Sequence, residues 1–259
     1  MSVCELPDFS DESLLRYSRH ILLPEVGIEG QQAIGAAHVL VVGMGGLGSP
    51  VAMYLAAAGV GRMTICDDDT VELTNLQRQI AHHQADLGRL KVESAAAEIA
   101  RLNPEVQVEA LARRVSDEPL QALVAAADVV VDCCDNFPTR HALNAACARM
   151  AKPLVSGAAV RFDGQLSVFD LRHAESPCYH CLFPDDGGEA NDGPCATFGV
   201  FAPLVGIIGS MQAAEALKLL AGIGESPVGR LLTLDARSMQ WRSLKFKRDP
   251  DCPVCLQRP

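Results

Sequence analysis

Apolar and polar positions along this chain alternate in two different rhythms. Val39-Leu40-Val41-Val42, Met63-Thr64-Ile65-Cys66 and Val129-Val130-Val131 are short, almost unbroken apolar runs, as expected of parallel strands buried on both faces. Val106 to Ala112 and Gly164 to Asp170 instead alternate, the first as a half-buried strand and the second as an antiparallel one. Between them lie helical patterns. Ser10 to Glu25 reads as a helix with Ser10 as N-cap and Asp11 and Glu12 in its first turn. Further helices are predicted over Leu47 to Ala58, Glu93 to Leu102, Thr139 to Met150 and Pro203 to Leu220, with a short strand from Pro153 to Ser156. Arg230 to Asp235 and Gln240 to Phe246 complete the strands. The strand at 38-42, the helix after it and the strand at 62-66 make a βαβ unit with a right-handed crossover. The predicted fold class is therefore α/β: a Rossmann-like nucleotide-binding sheet, mostly parallel, with antiparallel C-terminal strands and helices on both faces. We expect a single domain over 1-259, with an N-terminal helical arm at 10-30 and a C-terminal part at 178-255 belonging to the same domain.

The turns carry the chemistry. Gly43, Gly45 and Gly48 fit G-x-G-x-x-G in Gly43-Met44-Gly45-Gly46-Leu47-Gly48, which follows a strand and opens a helix. The first glycine permits the tight turn, the second lets backbone approach phosphate, and the third lets helix pack on strand. Asp67, closing the second strand, sits where a carboxylate grips a ribose hydroxyl. That pair alone points to a dinucleotide-binding dehydrogenase. Arg78 and Lys91 in the following segment change the picture, since hydride transfer has no use for them, whereas attack on the α-phosphorus of a triphosphate does. Asp135, in Asp132-Cys133-Cys134-Asp135-Asn136 at the end of the third buried strand, is placed to hold Mg²⁺ against phosphates. Each has a plainer role taken singly: a surface ion pair for Arg78, a snorkelling lysine for Lys91, an N-cap for Asp135 or Asn136. Their joint placement favours ATP. His82 and His83, in a polar loop, read as solvated, and Cys133 and Cys134 as packed at a strand end.

Composition narrows the classes. With 259 residues, 49% of them hydrophobic, the chain can bury a large single core. A net charge of -10 disfavours nucleic acid and anionic membrane surfaces as partners. No apolar run reads as a membrane span and the N-terminus lacks a signal pattern, so a cytoplasmic location is expected. Four of the ten cysteines form two Cys-x-x-Cys pairs, Cys178 with Cys181 and Cys252 with Cys255. Four thiolates without an open position suit structural Zn²⁺, the alternative being redox dithiols or unpaired core cysteines. Such a zinc knuckle would fasten the C-terminal tail to the loop leaving the sheet. The Gly/Pro/Asp-rich stretch 182-197 predicts a mobile loop, with Cys195 near its end.

In order, Arg16-Tyr17-Ser18-Arg19, the glycine turn, Asp67 to Asp69, Asn75-Leu76-Gln77-Arg78-Gln79, Lys91-Val92-Glu93-Ser94, Asp132 to Asn136, Ser156-Gly157-Ala158-Ala159 and the cysteine pairs resemble the E1-like adenylyltransferases of the MoeB/ThiF/HesA family. The resemblance runs from about Ser10 to Cys255. It implies adenylation, with ATP and Mg²⁺, of the C-terminal glycine carboxylate of a ubiquitin-fold sulfur carrier ending in Gly-Gly. The molybdopterin-synthase small subunit (MoaD-like), in molybdenum cofactor biosynthesis, is the first candidate carrier and a ThiS-like carrier of thiamine biosynthesis the second. It further implies that Gly43, Gly45, Gly46 and Gly48 cradle the nucleotide, Asp67 binds ribose, Asn75 faces the nucleotide, Arg78 and Lys91 bind phosphates, and Asp135 holds Mg²⁺. Arg19 should reach the neighbouring subunit's site, making a homodimer a functional requirement, and Cys195 has either a covalent role or none. Sulfur would come from a separate donor protein. A catalytically silent E1-like scaffold is the non-enzymatic alternative, which intact Arg78, Lys91 and Asp135 argue against.

Overall fold

The computed structural model describes residues 9–185 and 198–258. Cys195, and residues 186-197 of the loop predicted to be mobile, lie outside them. Among the described residues the strands are β1 (His38–Val42), β2 (Arg62–Cys66), β3 (Gln107–Leu111), β4 (Val129–Asp132), β5 (Pro153–Val160), β6 (Asp163–Asp170), β7 (Arg230–Asp235) and β8 (Gln240–Lys245). They form one eight-stranded sheet in the order β3-β2-β1-β4-β5-β6-β7-β8. The first five run parallel and the last three antiparallel, as the alternating C-terminal strands predict.

The unbroken apolar runs are buried on both sides, every residue of β1 and β4 included. Val39, Val41 and Val131 face one helical layer, made by α3 (Gly27–Ala36), α4 (Gly48–Ala57), α5 (Lys91–Leu102) and α9 (Ala202–Ala221). Leu40, Val42 and Val130 face the other, with α6 (Asp117–Ala126), α7 (Phe137–Arg149) and the short α8 (Tyr179–Leu182). Alternation by two along each strand divides the core between these layers.

Several elements differ from expectation: α3 and α8 are not foreseen by the sequence pattern, and β5 runs on to Val160 instead of ending at Ser156. The N-terminal helix is not continuous: α1 (Asp11–Arg16), capped by Ser10, stops at Tyr17, and α2 (Ser18–Ile21) follows it. Tyr17 breaks the run because its side chain turns inward, donating to Glu105 Oε2 at 3.0 Å and accepting from Asn103 Nδ2 at 2.8 Å. Helix α6 has no counterpart in the sequence reading, since only Leu120 and Val124 are buried. By length and composition α9 is long and apolar enough to cross a bilayer, which corrects the view that no such run exists. Leu204, Val205, Ile208 and Ala213 of this helix are buried in the core. There it packs closely on α4, where a Cβ on Gly209 would lie 2.6 Å from Leu47 O.

Candidate active site

Sheet order reverses direction between β1 and β4, so the crevice above their carboxyl ends is the place where an open α/β sheet binds ligand. Register sets Val42 beside both Cys66 and Asp132, and Asp132 beside Ser156. The glycine turn, Asp67 and the Asp132 to Asp135 turn therefore emerge at one level.

The glycine turn is shaped by its neighbours. Gly43 has φ +96°, and a Cβ there would meet Cys133 O at 2.6 Å, so the glycine turn and the acidic turn lie against each other. A Cβ on Gly48 would sit 1.9 Å from Gly43 O, which makes glycine the only residue that lets α4 start so close to β1. Gly45 meets only Gln79 Nε2, at 3.6 Å, leaving its backbone open on that side. Asp67 accepts from Met44 N at 2.7 Å and from Asp69 N at 2.9 Å. Burial raises its carboxyl above the usual range, and Lys91 and the Met44 N–H oppose that shift.

His82 departs from its expected solvation. It is 5% exposed, with Nε2 donating to Met44 O at 3.0 Å and Nδ1 paired with Ser94 Oγ at 2.9 Å, so it props the glycine turn from beneath. His83 is exposed beside Glu98. Gln79, 3% exposed, has a buried Oε1 with no hydrogen-bond partner among the described residues. An orphaned buried oxygen beside the open glycine is the kind of atom a bound nucleotide or its water would satisfy. Its signal in the sequence was its place in Asn75-Leu76-Gln77-Arg78-Gln79.

The predicted phosphate-binding cations are engaged with protein groups. Lys91 is nearly buried at the first position of α5, and its Nζ donates to Asp69 Oδ2 at 2.6 Å. Arg78 donates to Thr74 O at 3.1 Å. Asn75 caps its own 3-10 turn, accepting from Glu72 N at 3.1 Å. Asp135 is exposed just beyond β4, while Asn136, the alternative cap, does cap α7 by accepting from Thr139 N at 3.0 Å. Arg19 is exposed on α2.

Arg140 is the largest omission of the sequence reading. Buried at 7% exposure, it donates to Asp132 Oδ2 and Ser156 Oγ, both at 3.1 Å, to Gly157 O at 2.8 Å, and to Cys134 O. Ser156 also donates to Asp132 Oδ2 at 2.7 Å. Gln212 of α9 donates to Asp132 O at 2.7 Å from the opposite layer. These bonds satisfy a buried ion pair and hold the acidic turn rigid. An arginine in a helical pattern carries no sequence signal of such a role.

On the α7 side, the sulfurs of Cys178, Cys181, Cys252 and Cys255 converge. Separations are 3.8 Å for Cys178–Cys181, 3.6 Å for Cys178–Cys252 and 3.5 Å for Cys181–Cys255. Tetrahedral zinc with bonds of about 2.3 Å requires sulfur edges of about 3.8 Å, so the four fit that ion. All four ligand atoms lie within 4.8 Å of one another. His180 is outside this set, its Nδ1 accepting from Asp185 N at 3.4 Å.

The fold and this crevice define a Rossmann-like nucleotide-binding protein with a cluster of four cysteines whose geometry could hold a metal ion. The chain belongs to the ThiF family, whose profile matches residues 17–254. The sulfur carrier protein ThiS adenylyltransferase of Escherichia coli (strain K12) is 47% identical over 246 residues, covering 95% of this chain and 96% of that protein. The molybdopterin-synthase adenylyltransferase of the same organism is 46% identical over 252 residues, covering 97% of this chain and 100% of that protein. Among solved structures, that of E. coli MccB with ATP superposes with a TM-score of 0.79 at 25% identity, over 93% of this chain and 74% of that one.

Proposed function

We propose that this chain is an adenylyltransferase that uses ATP to activate the C-terminal carboxylate of a ubiquitin-fold sulfur carrier. The first candidate is a MoaD-like carrier of molybdenum cofactor biosynthesis. Relatives acting by name on ThiS and on molybdopterin synthase are almost equally similar to the chain, which keeps a ThiS-like carrier as the second candidate. The observation that carries the reading is the pressing of the acidic turn against the glycine turn at the β1/β4 crevice.

The reaction asks little proton chemistry of the protein. An ionised carboxylate oxygen attacks the α-phosphorus, a new P–O bond forms, and the bond to pyrophosphate breaks, leaving an acyl-adenylate. The obstacle is repulsion between anions. Gly43, Gly45, Gly46 and Gly48 offer backbone to the phosphates, Asp67 and Asn75 hold the nucleoside side, and Arg78 and Lys91 neutralise phosphate charge, Lys91 exchanging Asp69 for phosphate. Asp135 would hold Mg²⁺, whose contribution when bound is further neutralisation of the triphosphate. Arg19 enters from the partner copy of a homodimer. Sulfur then comes from a separate donor protein, and Cys195 is dispensable for the adenylation step. Cys178, Cys181, Cys252 and Cys255 would hold Zn²⁺, which in a closed site supplies folding energy rather than a reactive position.

Carrier-dependent exchange of labelled pyrophosphate into ATP tests this. We expect exchange with a purified MoaD-like or ThiS-like carrier, its abolition on removal of the carrier's terminal glycines, and a loss on the order of 100-fold in Asp135→Ala. Cys195→Ala should exchange normally. Lack of exchange with either carrier, or full exchange in Asp135→Ala, would overturn the reading.

A further inference from the structure

Each sulfur of the cysteine cluster receives an N–H group. Asn144 Nδ2 donates to Cys178 Sγ at 3.5 Å, Asp249 N to Cys181 Sγ at 3.4 Å and Cys255 N to Cys252 Sγ at 3.5 Å, all of them neutral amides. Cys255 Sγ instead receives Arg258 Nη2 at 3.2 Å, a charged donor. The same guanidinium donates through Nη1 to Ser176 O at 2.8 Å. Arg248 repeats the arrangement from the other side of the second cysteine pair, donating to Ala174 O at 2.9 Å and to Cys255 O at 3.4 Å. Both arginines therefore tie the tail that carries Cys252 and Cys255 to the segment just before Cys178. Neither forms an ion pair with a carboxylate among the described residues. The Nε of each is buried and has no hydrogen-bond partner there. Two partly buried cations bonded to carbonyls and a sulfur call for a negative charge close by. A divalent ion held by four thiolates supplies it, because the thiolates exceed the ion by two negative charges.

We propose that Arg258 and Arg248 are positioning residues of the four-cysteine site, which hold its second cysteine pair against the first and balance the charge of metal-bound thiolates. Arg258 acts on sulfur directly. Its charge-assisted N–H bond is stronger than the amide bonds to the other three sulfurs, so it fixes the orientation of Cys255 Sγ and disperses its charge. Arg248 acts through its charge and through the Cys255 carbonyl alone. Two cations against two excess negative charges leave the loaded site close to neutral, which is what permits Cys178, Cys252 and Cys255 to be buried. The inference concerns the metal site alone, and its test needs no nucleotide, carrier or turnover.

Zinc affinity of the full-length protein is measured by competition with a chromophoric chelator, and Co²⁺ is then substituted so that the thiolate-to-metal charge-transfer band reports the electron density on sulfur. Arg258→Gln should weaken zinc about tenfold, the usual cost of losing a group that orients a ligand. Its cobalt form should keep the absorption of a tetrahedral four-thiolate site while the charge-transfer band moves to lower energy, since a sulfur without its cationic donor gives up an electron more readily. Arg248→Gln leaves every sulfur contact in place, so it should weaken zinc about threefold, as loss of a partly exposed charge does, and leave the band where it was. Arg258→Lys keeps the cation but cannot reach Cys255 Sγ and Ser176 O together, and its zinc affinity should fall between those of the original and Arg258→Gln. Zinc affinity within about twofold of the original in Arg258→Gln, or a band that stays in place there, would overturn the proposal. An equal band shift in Arg248→Gln would show general loosening of the tail, and a lysine variant no better than glutamine would leave no part for charge; either result also overturns it.

Discussion

Gly48 and Gly45 belong to one motif but answer to different forces. At Gly48 the obstacle is the chain's own backbone, 1.9 Å from an added Cβ, so Gly48→Ala should lose about 3 kcal/mol of stability by urea denaturation. Gly45 meets nothing tighter than 3.6 Å, so Gly45→Ala should stay within about 1 kcal/mol while weakening ATP binding. Equal loss at both positions would contradict this division. His38 and His82 are titration elements of the fold. Burial lowers the proton affinity of each. As pH falls below the unfolded value of about 6.5, the unfolded chain takes up protons first, so their contribution is full above that pH and is lost below it. The melting temperature should therefore drop between about pH 7.5 and 5.5, and His82→Gln should flatten the slope. An unchanged slope would show that His82 is not buried neutral.

Helix α7 shows what one element does for a site. Its N-cap, Asn136, stands next to Asp135, and Pro138 occupies the first turn, so the helix start and the acidic turn are one structure. Asn136→Ala should cost about 1 kcal/mol in urea denaturation, the usual worth of such a cap. The elements were legible to different depths. Strands β1, β2 and β4 stood out because burial on both faces demands continuous apolar runs. Helix α6 did not, because two buried residues leave almost no periodic signal. The break at Tyr17 was hidden because it depends on Asn103 and Glu105, far along the chain.

For the molecule as a whole, the N-terminal arm leaves Leu15 and Leu22 more than 70% exposed, and Arg19 lies between them in sequence. Our proposal of a homodimer covers these leucines with the second copy and sends Arg19 into its site. A mixing experiment separates this from a monomeric site. Arg19→Ala and Asp135→Ala are each expected to be inactive, and together they should recover roughly a quarter of the original exchange, since half the random dimers are mixed and each has one intact site. No recovery would place Arg19 in its own chain's site, and full activity of Arg19→Ala alone would place it outside catalysis.

By itself the sequence determined the local grammar of this protein. It specified which runs must be buried strands, where a backbone turn needs glycine, and which four cysteines are spaced to share an ion, because those depend on residues close in the chain or on strict chemical type. Tertiary structure decided the rest. The Arg140 bonds to Asp132, Ser156 and Gly157, the seat of His82 under Met44, and the pairing of Lys91 with Asp69 join segments separated by 8 to 38 residues. Those partners are selected by sheet register and helix packing, which bring polar groups into a low-dielectric interior where each must find a hydrogen bond.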